Sequence, residues 1–431
     1  MSWHKTTMGR AISLKPIFSS YAMSGGALAS VSIAQLATFA MLARALGPVE
    51  FGLFVQVAAI SAIGIQICGL GASDSLFRRI VQAPERYPDL LGHNLLLIGL
   101  SAAVLVPLAA AGLSFWLTMQ TGPGLGLPSI VLLLVTNILL VRAILLVETI
   151  YLGLGREAAA NRSVVGFALA RTATAALACT VFGVDTLAGW AAWQFCGNLL
   201  YALLCAAWLL PLGRPRAVIL REELRPGLLF SSQFAMRALR QNADLFVVGL
   251  FASIETVASY GVARRIMDSS YITIVSMNRL VYRRFVRASR DGLHRALPDA
   301  GRVLVGAVVL GSGTAFLLFL LAPWLGLAFG RAYDEVTFFV RCLSGTIALI
   351  AVWSVAIDLL GASGRQGARA MILSTVNLLG GGLIAAASWL AGPSGAIVAL
   401  YAIEAGTAAA AWLVLLSLAA RSRGRALSAA A

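Results

Sequence analysis

The chain has 431 residues, 59% of them hydrophobic and only 12% charged, at a mean hydropathy of +0.87. A soluble domain carries about 25% charged residues, so the composition excludes a water-soluble globule: one core cannot hide this many apolar side chains, and the surplus must face lipid. The 33 basic residues against 18 acidic give a net +15, a balance that points to nucleic acid in a soluble chain but to cytoplasmic loops in a membrane chain.

A helix needs about 20 apolar residues to cross the roughly 30 Å hydrocarbon layer, and the sequence divides into twelve such runs. After a basic tail, 1–20, the runs cover 21–44, 50–72, 90–117, 128–152, 160–182 and 186–212. A linker at 213–226, bearing Pro215, Pro226 and four arginines, separates them from runs at 227–251, 256–277, 302–322, 336–360, 369–390 and 395–419, followed by a second tail, 420–431. The first run is too long for a cleaved signal peptide and reads as an uncleaved span. Alternate connections are unequal in charge: one set holds 24 basic residues and the other only Arg331. Basic loops stay in the cytoplasm, which predicts that both termini lie there and that no nucleic acid is needed to explain the charge.

Six spans on each side of the linker predict an all-α membrane protein of two parallel six-helix lobes, 21–212 and 227–419, around a central cavity. A faint internal match sets Phe51-Gly52-Leu53-Phe54 beside Val257-Ala258-Ser259-Tyr260. The outside connections are short, the longest being 323–335, and leave no room for an extracytoplasmic catalytic domain; no catalytic residue is assigned. The only lysines are Lys5 and Lys15, and neither follows a Gly-rich loop, which excludes a Walker nucleotide site. Cys68, Cys179, Cys196, Cys205 and Cys342 fall in apolar runs without a CxxC pair, and His4, His93 and His294 form no cluster, so the cysteines read as packing residues and no metal site is expected.

Eight arginines remain inside the spans: Arg44, Arg142, Arg171, Arg237, Arg240, Arg264, Arg265 and Arg341. At the centre of an inserted helix each costs about 2.5–3.5 kcal/mol, so they must be paired or line a wet interior. Gln233, Arg237, Arg240, Gln241 and Asp244 share one face of the seventh run, and Tyr260, Arg264, Asp268 and Tyr271 share one face of the eighth, with Arg265 beside it. Arg240 with Asp244 and Arg264 with Asp268 stand four residues apart and can pair along their own helices. Arg171, Arg237, Arg265 and Arg341 have no such partner, Arg44 lies where it can snorkel to headgroups, and Arg142 has Glu148 two turns on. Glu148, Asp244, Asp268 and Glu404 are the embedded acids, fewer than the arginines. A cationic interior suits an anionic passenger, and the planar guanidinium fork suits phosphate. Candidate substrate-binding residues are therefore Arg142, Arg171, Arg237, Arg240, Arg264, Arg265 and Arg341. Asp244, Asp268 and Glu404, buried next to arginine, are candidates for coupling to a proton or sodium gradient, with a permanent ion pair as the alternative. Gln35, Gln56, Gln66, Asn137, Gln194 and Asn198 offer hydrogen bonds either between helices or to sugar hydroxyls.

A basic tail, then Ser24-Gly25-Gly26, then Ala43-Arg44-Ala45-Leu46-Gly47-Pro48-Val49-Glu50-Phe51-Gly52-Leu53-Phe54, resembles the start of polysaccharide (O-antigen or exopolysaccharide) flippases of the multidrug/oligosaccharidyl-lipid/polysaccharide exporter superfamily; Gly69-Leu70-Gly71-Ala72-Ser73-Asp74 followed by Arg78-Arg79 resembles the end of their second span. The resemblance implies a multi-pass protein of the bacterial inner membrane that moves undecaprenyl-diphosphate-linked oligosaccharide to the outer leaflet by alternating access. It further implies no cofactor, coupling to an ion gradient, and membrane lipids, a polysaccharide polymerase and a chain-length regulator as partners. The competing readings are a multidrug extruder, which calls for an acidic cavity; a major-facilitator transporter, whose loop after the second span differs from Asp74-Ser75-Leu76-Phe77-Arg78-Arg79; and a membrane glycosyltransferase, ligase or polymerase, which calls for larger outside loops.

Overall fold

A computed structural model describes residues 14–121, 125–289, 292–330, 332–333 and 335–430, without the side chains of 14–25, 74, 120, 121, 230, 233, 240, 279, 280, 283 and 425–430. Among the described residues there is no β-strand. In chain order the helices are α1 (Leu14–Ile67), α2 (Ala72–Gln82), α3 (Tyr87–Thr121), α4 (Leu127–Leu134), α5 (Val141–Gly153), α6 (Glu157–Ala176), α7 (Leu187–Leu209), α8 (Arg221–Phe251), α9 (Ile254–Ser270), α10 (Ile272–Ala288), α11 (Leu293–Leu321), α12 (Leu325–Phe329), α13 (Val336–Ser344), α14 (Thr346–Ala362) and α15 (Gln366–Ala430). Eight stretches are long and apolar enough to cross a membrane, and the chain is a multi-pass membrane protein.

Two of these stretches fold back on themselves. In α1 the break is at Gly47-Pro48, where Gly47 has φ 71° and ψ 173°. The ring centroids of Phe39 and Phe54 are 5.8 Å apart, whereas fifteen residues of straight helix would span about 22 Å. In α15 the break is at Ala391-Gly392, ahead of Pro393, and Gly395 returns against the backbone of Ala387. Proline removes a ladder donor in each case and glycine accepts the positive φ. The polar helices α8, α9 and α10 fall outside the eight apolar stretches because arginine and aspartate lower their hydropathy.

Two boundaries differ from the sequence reading. The segment 278–301, expected as a cytoplasmic connection, is helical over most of its length: α10 continues α9 past a turn at Tyr271, and α11 begins at Leu293. The linker is non-helical only at 213–220, since α8 starts at Arg221 with Glu222 and Glu223 in its first turn, where carboxylates favour the helix dipole.

Packing stays largely within two groups, α1–α7 and α8–α15, which meet mainly where α1 and α2 touch α8 and α9, with α1 also reaching α10 and α12. The second limb of α1 lies against α9: Gly52 sits on the backbone of Ile254, and Gly261 on the Val55 side chain. Small residues allow this approach without a cavity. These are the two segments that carry the faint internal match. At the Gly47 end, the Tyr333 hydroxyl donates to Ala43 O at 2.6 Å and Arg44 donates to Leu327 O. At the linker end, Arg216 N–H donates to Pro88 O at 2.9 Å, Leu220 N–H to His93 Nδ1 at 3.1 Å, and Arg79 Nε to Glu223 Oε1 at 2.5 Å. Gly71 (φ 70°) packs there on the backbone of Gly227.

Candidate functional site

A groove of about 240 Å³ runs between the two helix groups. Phe39, Asn137 and Arg171 face it from the first group, and Arg264, Arg265 and Asp268 from the second. Local structure sets each of these. The Thr172 hydroxyl lies 2.9 Å from that of Thr38 and 3.0 Å from Ala34 O, which pins α6 on α1 and turns the preceding residue, Arg171, into the groove. A wider, π-helical turn at Val135–Leu140 brings Asn137 to the wall, where its Oδ1 accepts from Gln194 Nε2 at 2.8 Å.

The neighbours Arg264 and Arg265 are held differently. Arg264 Nε stands 2.6 Å from Asp244 Oδ2 and its Nη1 3.9 Å from Asp268; its Nη2 donates to Gln241 O at 3.2 Å. Asp244 is fully buried and also accepts from the Tyr260 hydroxyl at 2.9 Å. The strong pair is thus between α8 and α9, where spacing along one helix had suggested Arg264 with Asp268. Arg240, the sequence-based partner of Asp244, lies outside the described side chains, as does Gln233. Among the described residues Arg265 forms no ion pair, although Asp268 lines the same groove: its Nη2 donates to Gln35 Oε1 at 2.6 Å, and its guanidinium carbon lies 5.0 Å from the Phe39 ring centroid, a cation–π geometry. Arg171 makes no hydrogen bond or ion pair with a described residue; its guanidinium carbon is 5.8 Å from the Phe167 ring, and its Nε is buried without an acceptor.

A second, larger cavity of about 510 Å³ opens among α8, α9, α10, α14 and α15. Arg237 and Glu404 both reach it, as does Trp353, whose Nε1–H donates to Glu404 Oε2 at 2.6 Å. Asn242, Arg264 and Asp268 line both this cavity and the groove, so the two spaces adjoin. Arg142 and Arg341 line neither. Arg142 lies near the Gly69 turn, and Arg341 Nε donates to Phe319 O at 3.4 Å while its guanidinium covers the Phe319 ring at 4.9 Å. No group of three or more His, Cys, Asp or Glu among the described residues could hold a metal.

Sequence reasoning overlooked Asn242, Asn278, Trp353 and Asn377 on the cavity wall, and assigned Arg369 to topology alone although it lines the same cavity. Asp358 lines it as well. The spacing of Asp358 and Arg369 across the α14–α15 turn was the available signal; the pairing of Trp353 with Glu404 had none, because it joins helices far apart in sequence.

The model of a family described as polysaccharide biosynthesis protein matches residues 21–285. The chain belongs to this family. No curated protein matches the sequence. Among solved structures, an inward-facing multidrug resistance MATE family transporter of the MOP superfamily is similar at TM-score 0.68 and 15% identity, covering 97% of this chain and 96% of that one. A ligand complex of the MATE multidrug transporter DinF-BH gives 0.65 at 16% identity, covering 96% and 98%. A MOP superfamily transporter from Pyrococcus furiosus, described as having a binding pocket of reverse polarity that suggests a different function, gives 0.59 at 16%, covering 94% and 95%. This member of the polysaccharide biosynthesis family therefore has the fold of MOP superfamily transporters.

Proposed function

We propose that the protein is a flippase that carries a glycan linked to undecaprenyl diphosphate across the bacterial inner membrane by alternating access, the groove gripping the diphosphate. The single observation that carries this reading is that Arg171 and Arg265 face one groove with no acid bound to either. Two guanidinium groups outside any ion pair, outweighing the charge of Asp268 in the same groove, repel each other and attract a divalent anion, and phosphate oxygens fit their forks bidentately. Family membership supports a role in polysaccharide biosynthesis. A multidrug extruder is the competing reading that the solved structures of this fold raise; the positive groove opposes it, and a reversed pocket polarity has been noted for one protein of the same fold.

Topology completes the reading. Eight apolar stretches, two of them hairpins, together with α8 and the α9–α10 rod, make twelve spans in two six-helix lobes with both termini cytoplasmic. The Gly47 end is then periplasmic and the linker end cytoplasmic. Asp268 is the coupling acid of choice, since its side chain is 56% exposed whereas Asp244 is locked between Arg264 and Tyr260. The proposed partners are membrane lipids, a polysaccharide polymerase and a chain-length regulator. The test is surface polysaccharide in cells carrying Arg171→Ala together with Arg265→Ala: export should cease while the protein remains in the membrane, and undiminished export would refute the reading.

A further inference from the structure

We infer that the larger cavity among α8, α9, α10, α14 and α15 is a carbohydrate subsite, receiving sugar rings of the passenger whose diphosphate occupies the adjoining groove. The inference rests on the flippase reading and assigns the second half of the substrate to a separate set of residues. Its volume, about 510 Å³, falls within the roughly 300–1,000 Å³ of ligand pockets.

The chemistry of the wall is that of a sugar. A pyranose has an apolar C–H face and a rim of hydroxyls, each both donor and acceptor. Trp353 and Tyr271 supply aromatic surface to this wall, and the Trp353 ring is fixed in orientation by its hydrogen bond to Glu404. The rim has its counterpart in primary amides, which carry donor and acceptor on one plane. Asn278 and Asn377 line the cavity and make no hydrogen bond to another described residue. Asn242 spends its Nδ2 on Ala238 O at 2.8 Å, which leaves its Oδ1 for a ligand. Partly buried amides without protein partners are costly unless water or a ligand satisfies them. The groove, by contrast, sets its arginines and Asp268 among Phe, Val, Ala and Ile, with Ser61, Asn137 and Asn242 as polar neighbours; Ser61 is engaged by Val57 O and Asn137 by Gln194, so this space suits a charged head better than a sugar ring. Since Asn242, Arg264 and Asp268 border both spaces, one ligand can occupy the two at once.

The test uses the full-length protein in lipid nanodiscs with two probes: undecaprenyl diphosphate without sugar, and the lipid-linked oligosaccharide extracted from cells in which the transporter gene is deleted. Wild type should bind the glycosylated probe about tenfold more tightly or better, the worth of one to two net hydrogen bonds. Asn278→Ala with Asn377→Ala, and separately Trp353→Leu, should bring that probe to within about twofold of the bare one while leaving the bare one unmoved, since tenfold in affinity is the size of the contact removed. Trp353→Phe, which keeps a ring, should retain most of the preference. Asn278→Ala alone removes no internal hydrogen bond and keeps the measurement available if a multiple variant does not reach the membrane. Variants that weaken both probes equally, or neither, overturn the subsite while leaving the flippase reading intact. A wild type that binds neither probe overturns the flippase reading, and the subsite with it.

Discussion

Arg264 and Arg265 are consecutive residues on one helix, yet the structure assigns them opposite circumstances. Arg264 points back to α8 and closes a cluster with a fully buried Asp244 and the Tyr260 hydroxyl. Arg265 points forward to the groove, with an amide and an aromatic ring as its company and Arg171 across the same space. A cation whose charge is matched holds two helices together; one left unmatched is available to a ligand. In a membrane, where an unpaired charge is expensive, leaving two of them facing one cavity is the feature that calls for a functional explanation.

The largest effects should therefore separate the two arginines by kind of readout. Replacing Arg265 or Arg171 by Ala should reduce polysaccharide export to background, while the unfolding temperature stays the same or rises because a like-charge repulsion is relieved. Lysine at either position should restore only part of the export, as it keeps the charge but not the bidentate fork. An Arg265→Lys protein that exports like wild type would sink the argument from geometry and leave only one from charge.

At the matched pair the order reverses. Asp244→Asn strands a buried guanidinium and should cost about 3–5 kcal/mol, seen as a large loss of thermal stability in detergent. Asp244→Leu combined with Arg264→Met should recover most of that loss, because removing both charges avoids the uncompensated one. If the single variant is as stable as wild type, the cluster is not what joins α8 to α9.

How much of this could be read from the sequence follows the same division. The runs of apolar residues mark where long helices occur, and the folding back at Gly47-Pro48 and Ala391-Gly392 is announced by glycine beside proline. The polar helices α8 and α9 were legible as faces bearing arginine at helical spacing. What spacing cannot give is the partner across helices: periodicity places Arg264 four residues before Asp268, but the closer acid, Asp244, belongs to α8 and meets it only through the packing of the two helices. Arg341 shows the same limit. It looked like its unpaired companions, and only the packing of α13 on α11 reveals that it covers Phe319 instead of entering the groove. The larger cavity was invisible for the same reason, since Asn278, Trp353, Asn377 and Glu404 come from four separate helical segments.

The linker end offers a smaller version of the comparison, again with adjacent residues. Glu223 is 1% exposed and receives Arg79 Nε at 2.5 Å with Arg78 at 3.7 Å. Glu222, one residue earlier, is 52% exposed and meets Arg86 at 3.3 Å. Both join the first turn of α8 to the segment around α2, across the boundary of the two helix groups. Glu223→Gln should cost about 1–2 kcal/mol, less than Asp244→Asn because its arginine partners remain partly hydrated.

Glu222→Gln should produce no measurable change near neutral pH, because an exposed pair gains little over its hydrated parts. Its carboxyl is nevertheless held below the usual glutamate range, first by the backbone amide at the start of α8 and then by Arg86. The sign follows from linkage: a depressed carboxyl contributes stability above its unfolded value and loses it as pH falls through the folded one, so any contribution is complete at neutral pH and disappears only in acid. The measurement is the unfolding temperature of wild type, Glu222→Gln and Glu223→Gln against pH and salt. The Glu222 variant should track wild type at neutral pH and differ from it only in how the acid limb falls, whereas the Glu223 variant should be lower throughout. Equal effects of the two would mean that burial of Glu223 adds nothing, and that the linker end of the joint is held by its other contacts, the Gly71–Gly227 approach and the bonds of Arg216 to Pro88 and Leu220 to His93.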